Sequence, residues 1–161
     1  MTIKVGDKMP DGGFAVMTGE GPGGLTTDEL FGGKKVVLFC VPGAFTPTCS
    51  AKHLPGFVEQ AAAIKAKGVD TVACLSVNDV FVMDAWGKSA GADGNVTMLA
   101  DGNCDYCKAL GLELDATGFG MGMRGSRFAL VVDNGAVTQA YIENAPTELV
   151  ASAAENVLNN L

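Results

Sequence analysis

The apolar residues of this chain change period several times, and each change marks an element. KKVVLFCV (34–41) is a near-continuous apolar run rich in valine, the pattern of a strand buried on both faces. VDTVACLSV (69–77) repeats it, and VTMLAD (96–101) predicts a third strand. Between these runs the spacing lengthens to that of helices. One helix is predicted from about Thr48 to Lys67, kinked at Pro55 and stopped by Gly68. SVNDVFVMDAWGKSAG (76–91) predicts the next, capped by Ser76 or Asn78, and a short one follows Asn103 as cap and closes at Gly111.

The two ends differ from this middle. TGEGPGG (18–24) reads as loop, after which Thr26-Thr27-Asp28-Glu29 has the form of a capping box opening a short helix that ends near Phe31-Gly32-Gly33. RFALVVD (127–133) and AVTQAYIE (136–143) flank Asn134-Gly135, a pair suited to a tight hairpin turn. Thr147 then caps a predicted last helix through Leu158. The order βα, βα, βα, ββα describes an α/β protein with a mixed sheet flanked by helices. Its parallel strands carry a C-terminal antiparallel hairpin at one edge, the layout of a thioredoxin-like fold with an N-terminal extension.

With 161 residues and no linker or internal repeat, residues 1–161 are expected to form one domain. Hydrophobic residues make up 48% and charged ones 18%, which excludes a disordered solvating chain. A formal charge of −7 argues against nucleic acid and anionic membrane surfaces as partners. No stretch approaches a membrane span, and MTIKVGDKMPDGG does not resemble a secretory signal, so a cytoplasmic location is expected. Five cysteines, an odd number set mostly in apolar segments or beside loops, fit reduced thiols better than a disulfide framework.

Ligands of such sheets collect at the carboxyl ends of the strands. Cys49 falls there, in the first turn of a helix, after a loop containing Pro42, Gly43 and Pro47. Free backbone N–H groups and the positive end of the helix favour an anion at that point, so the thiolate is expected as a ready nucleophile. Thr46, three residues earlier, can set its hydroxyl beside the sulfur, donating to it while accepting from a protonated substrate oxygen. Pro42 offers an apolar wall without an N–H. Arg127, opening the first hairpin strand, is the candidate for a fixed positive charge, and Arg124 is a second.

PGAFTPTC (42–49) resembles the Pro-x-x-x-Thr-x-x-Cys signature of peroxiredoxins. The surrounding LFCVPGAFTPTCSAKHLPGFVEQ is similar to the type II, peroxiredoxin-5-like subgroup, as are KAKGVDTVACLSVND, FVMDAWGK, MLADGN, ALGLELD and RGSRFALVVDNG. The resemblance implies a thiol-dependent peroxidase acting on hydrogen peroxide and organic hydroperoxides. In it Cys49 is the peroxidatic cysteine, and Thr46, Pro42 and Arg127 complete the site. Cys49 would be oxidised to a sulfenic acid. No metal, haem, flavin or other cofactor is implied. The resemblance also implies a homodimer built through loops that include Phe45 and residues 114–124.

Some family members carry a resolving cysteine in the final helix region, where this chain has Ala151 within ELVASAAENVL. Reduction by an external thiol, either glutathione with glutaredoxin or a thioredoxin, is therefore implied. The other singular residues have plainer readings. His53, the one histidine, is read as capping or ordering its helix rather than as a general base. Cys40 and Cys74 are read as core, and GFGMGMRG (118–125) as a flexible loop. Cys104 and Cys107 have the CxxC spacing and leave two readings open, incidental thiols or an additional redox pair. They also define a rival function, a thiol–disulfide oxidoreductase; a peroxide sensor or chaperone is the other.

Overall fold

The computed structural model describes residues 1–161. It begins with a hairpin that the sequence pattern did not predict, β1 (Gly13–Thr18) and β2 (Gly21–Thr26). β2 reads GPGGLT, an edge strand without apolar alternation, so composition alone marked it as loop. The capping box forms as expected: Thr26 accepts from the Glu29 N–H, and the Glu29 carboxylate accepts from the Thr26 N–H, opening α1 (Thr27–Phe31).

β3 (Lys35–Val41) leads through the Pro42–Thr48 loop to a π-helical turn, Cys49–His53, and then α2 (Leu54–Ala66). The kink expected at Pro55 takes this form. Pro55 has no N–H to offer Ala51, and the ladder widens so that Leu54 donates to the Cys49 carbonyl. β4 (Thr71–Ser76) follows, then α3 (Val80–Ser89), whose cap is Asp79, accepting from the Val82 N–H, rather than Ser76 or Asn78. After β5 (Thr97–Ala100) comes α4 (Asp105–Leu110), and here too the cap differs from expectation. Cys104, not Asn103, holds the cap position at φ 63°, while the Asp101 carboxylate accepts from the Tyr106 and Cys107 N–H groups.

The expected loop at 118–125 contains structure. β6 (Glu113–Asp115) pairs antiparallel with β7 (Met123–Gly125) around a 3₁₀ turn at Thr117–Phe119. β8 (Phe128–Asp133) and β9 (Ala136–Ile142) form the predicted hairpin, with Asn134 (φ 47°) and Gly135 (φ 80°) turning the chain. The last helix, α5, is shorter than expected, Ala154–Asn159. The Glu143 carboxylate accepts from the N–H groups of Val150, Ala151 and Ser152, so they do not enter a helical ladder.

Seven strands make one sheet in the order β2-β1-β5-β4-β3-β8-β9. The β3, β4 and β5 strands run parallel, β8 joins β3 antiparallel, and β1 joins β5 antiparallel at the other side. The expected thioredoxin-like α/β layout is therefore present, with the N-terminal extension supplying two further strands. The sheet separates two apolar cores. Val36, Leu38, Cys40, Cys107, Phe128 and Leu130 belong to one, and Val37, Phe39, Val41, Cys49, Phe57 and Trp86 to the other. No helix is long and apolar enough to cross a membrane.

Candidate active site

The turn bearing Cys49 is held from three sides. The Ala44 N–H donates to Asn78 Oδ1 at 3.0 Å, and the Ser76 hydroxyl lies 2.7 Å from that same oxygen and 3.2 Å from the Val41 carbonyl. These bonds tie the loop to the end of β4, as required where a chain leaves a sheet and reverses. Phe45 takes a positive φ of 62°, and Trp86 Nε1 donates to Ser50 Oγ at 2.9 Å, anchoring the π turn to α3. Cys49 is thereby fully buried, and no protein carbonyl accepts from its backbone N–H.

Against this sulfur lies Arg127. Strand alternation puts it on the same face as Ala129 and Val131, the face to which Cys49 belongs. Its Nη2 donates to Cys49 Sγ at 3.0 Å, its Nε to the Pro146 carbonyl at 2.9 Å, and its Nη1 to His53 Nδ1 at 2.8 Å. A guanidinium N–H aimed at sulfur makes a charge-assisted hydrogen bond that fixes the sulfur in place. The planar fork is fixed on all three nitrogens, so little freedom remains to be lost when substrate arrives.

His53 turns out to serve this arginine rather than to cap its helix. Its Nε2 donates to the Ser152 carbonyl at 3.0 Å, which leaves Nδ1 as acceptor for Arg127. Burial, and then the adjacent guanidinium, push its pKa down to about 3, so the imidazole is neutral. A base held this way has no free nitrogen to take a proton from Cys49. Ser152 is in turn held by Glu143, whose carboxylate accepts from the Ser152 N–H and hydroxyl as well as from Val150 and Ala151. Burial works against that charge, but these hydrogen bonds keep the Glu143 carboxyl below its ordinary range. Glu143, Pro146 and Ser152 carry no sequence signal for this role, since it arises only when the segment after β9 folds back over the π turn.

Thr46 differs from expectation in one respect. Its hydroxyl donates to the Gly43 carbonyl at 2.6 Å and not to the sulfur. The proton is committed, and the oxygen lone pairs stay free to accept from a substrate O–H. Pro42 is buried in the same loop. Arg124 braces the neighbourhood without reaching Cys49: it donates to the Met121 and Val77 carbonyls at 2.9 Å, and its Nη1 would lie 3.5 Å from a Cβ on Gly43. Cavities of about 330 and 210 Å³ flank the turn, sharing Lys52 and Leu149 at their boundary, and Cys49 lines neither.

The remaining cysteines do not cluster as the CxxC spacing suggested. Cys104 and Cys107 are both buried, and the Cys104 sulfur points to the Arg124 carbonyl at 3.8 Å. Burial, and then the neighbouring Cys107, push the Cys104 thiol up to about 11. An exposed, activated thiol of the kind a disulfide oxidoreductase needs is therefore absent from this pair. Cys40 and Cys74 lie in the two cores, as expected.

The redoxin family profile matches residues 4–158. Peroxiredoxin-2C of Oryza sativa subsp. japonica is 51% identical over 160 residues, covering 99% of this chain and 98% of its own. A reduced Prx3 from Vibrio vulnificus, solved in complex with hydrogen peroxide, superposes with a TM-score of 0.94 at 50% identity over 99% of both chains. A 1-Cys peroxiredoxin from Plasmodium falciparum superposes with a TM-score of 0.90 at 31% identity, covering 99% of this chain and 100% of the other.

Proposed function

The chain belongs to the peroxiredoxin family, in its type II subgroup, and is a thiol-dependent peroxidase; on that premise we propose that Cys49 is the thiol that attacks peroxide. The observation that carries this assignment is the 3.0 Å contact between Arg127 Nη2 and Cys49 Sγ, made by no other cysteine. The sulfur displaces one peroxide oxygen, forming an S–O bond as the O–O bond breaks. Arg127 holds the sulfur and the near oxygen in line, and Thr46 accepts from the peroxide O–H and fixes its orientation. Pro42 shields the sulfur from water. The departing oxygen takes a proton and leaves as water or alcohol, and Cys49 becomes a sulfenic acid.

A second thiol must remove that oxygen. Ala151 occupies the position of the resolving thiol found in some relatives, and no cysteine follows Cys107. This supports reduction by an external thiol, glutathione with glutaredoxin or a thioredoxin, in a reducing compartment such as the cytoplasm. Because Cys49 is fully buried, the reductant reaches it only when the π turn opens. Phe45 (55% exposed), Phe119 (82%) and Met123 (37%) support a homodimer formed across these loops. Rapid-mixing measurement of peroxide consumption tests the assignment. The parent chain should react in a fast phase that Cys49→Ser abolishes, and a phase of undiminished rate surviving that substitution would remove Cys49 from the role.

A further inference from the structure

The two sulfurs that approach each other in this molecule are not those of the CxxC motif. A Cβ built on Gly125 would lie 2.6 Å from Cys40 Sγ and 2.8 Å from Cys107 Sγ. The sulfurs are therefore no farther apart than those two distances laid end to end, and they share one small space that only a glycine leaves open. Both residues are fully buried, in the core on the side of the sheet away from Cys49. Cys104 is turned elsewhere by its positive φ and its contact with the Arg124 carbonyl.

We propose that Cys40 and Cys107 form a second redox-active pair, independent of Cys49, which peroxide converts into an internal disulfide tying the end of β3 to α4. The chemistry needs no reagent beyond the substrate of the established activity. The Cys40 sulfur displaces one oxygen of hydrogen peroxide, giving a sulfenic acid and one water. The Cys107 sulfur then displaces that oxygen, its own proton leaving with it as a second water. Two thiols and one peroxide give one disulfide and two waters. The order follows from the surroundings. Burial pushes the Cys40 thiol up, while its neighbour Cys107 eases it down; the same contact, and then burial, drive Cys107 up. Cys40 is thus the better nucleophile of the two and Cys107 the resolving thiol. Neither is accessible or activated as an exposed site would be, so the reaction is slower than that of Cys49.

The Cys49→Ser chain, treated with hydrogen peroxide, alkylated in denaturant and cleaved before aspartates without reductant, gives the test. Cleavage at Asp105 separates Cys104 from Cys107. The expected product joins the peptide 105–114 to the peptide 28–69, two hydrogen atoms lighter than their sum, with Cys104 alkylated. Full alkylation of Cys40 and Cys107 after prolonged exposure to peroxide in large excess over that needed to oxidise Cys49 in the parent would overturn the proposal. So would a link from Cys107 to Cys104. If Cys49→Ser does not fold, Cys104→Ser treated identically carries the same expectation. Fragmentation must then locate the link at Cys40, and a link at Cys49 counts against the pair.

Discussion

Acid titration of His53 tests the arrangement behind Arg127, because the chain has only this one histidine. In the unfolded chain the imidazole takes its proton near pH 6.5. In the fold, burial and then the Arg127 guanidinium move that event down to about 3. Below pH 6.5 the unfolded state therefore binds a proton that the native state refuses, and stability falls with falling pH until the folded value is reached. The gap of roughly 3.5 pH units corresponds to about 5 kcal/mol in full, and about 3 kcal/mol of it is lost by pH 4.5. Protonating Nδ1 would set an N–H against the Arg127 Nη1 donor 2.8 Å away, the structural origin of the refusal.

Two measurements check this. The imidazole Cε1–H resonance of the native protein should stay at its neutral position between pH 7.5 and 4.5. Urea unfolding of the parent and of His53→Gln, which keeps an acceptor for Arg127 but does not titrate, should show the parent losing about 3 kcal/mol more than the variant between pH 7 and 4.5. Carboxylates titrate in both and cancel. Parallel stability curves, or a resonance midpoint near 6.5, would refute the buried neutral imidazole and with it the fixed guanidinium.

Arg127→Lys should slow peroxide reduction by roughly 10²–10³-fold in stopped flow with the fold intact by circular dichroism, since one ammonium nitrogen cannot reach three acceptors spread around three guanidinium nitrogens. Thr46→Val should lower the same rate by about 10-fold or more and leave thermal stability within about 1 kcal/mol, because its bond to Gly43 is a single part-buried hydroxyl contact. Gly125→Ala should destabilise by about 1–3 kcal/mol in urea unfolding, and an added Cys40→Ala should recover part of that loss by removing one of the two sulfurs its methyl strikes.

What the sequence made legible was whatever local chemistry decides. The valine-rich runs could only be buried strands, Asn134-Gly135 could only turn tightly, and the loop from Pro42 to Cys49 carried the site in eight residues. Arg127 was legible too, because a residue at the start of the strand beside β3 has few places to point. The missed features depend on distant partners. β2 is a strand only because β1 lies beside it. Residues 150–152 stay outside the helix because Glu143 captures their N–H groups. The role of His53 required knowing that the Ser152 carbonyl would claim Nε2 and so aim Nδ1 at the arginine.

A single residue of strand register separates the two thiol chemistries. Along β3, Phe39 and Val41 project into the core that holds Cys49, while Leu38 and Cys40 project into the other. β8 obeys the same alternation, placing Arg127 with the first set and Phe128 with the second. The guanidinium that contacts the Cys49 sulfur is consequently separated from Cys40 by the sheet itself, and Cys40 meets the Cys107 thiol and the Val41 carbonyl instead. A one-residue slip of either strand would exchange these environments. The sheet thus decides which cysteine is fast and which is slow, before any side chain of the π turn contributes.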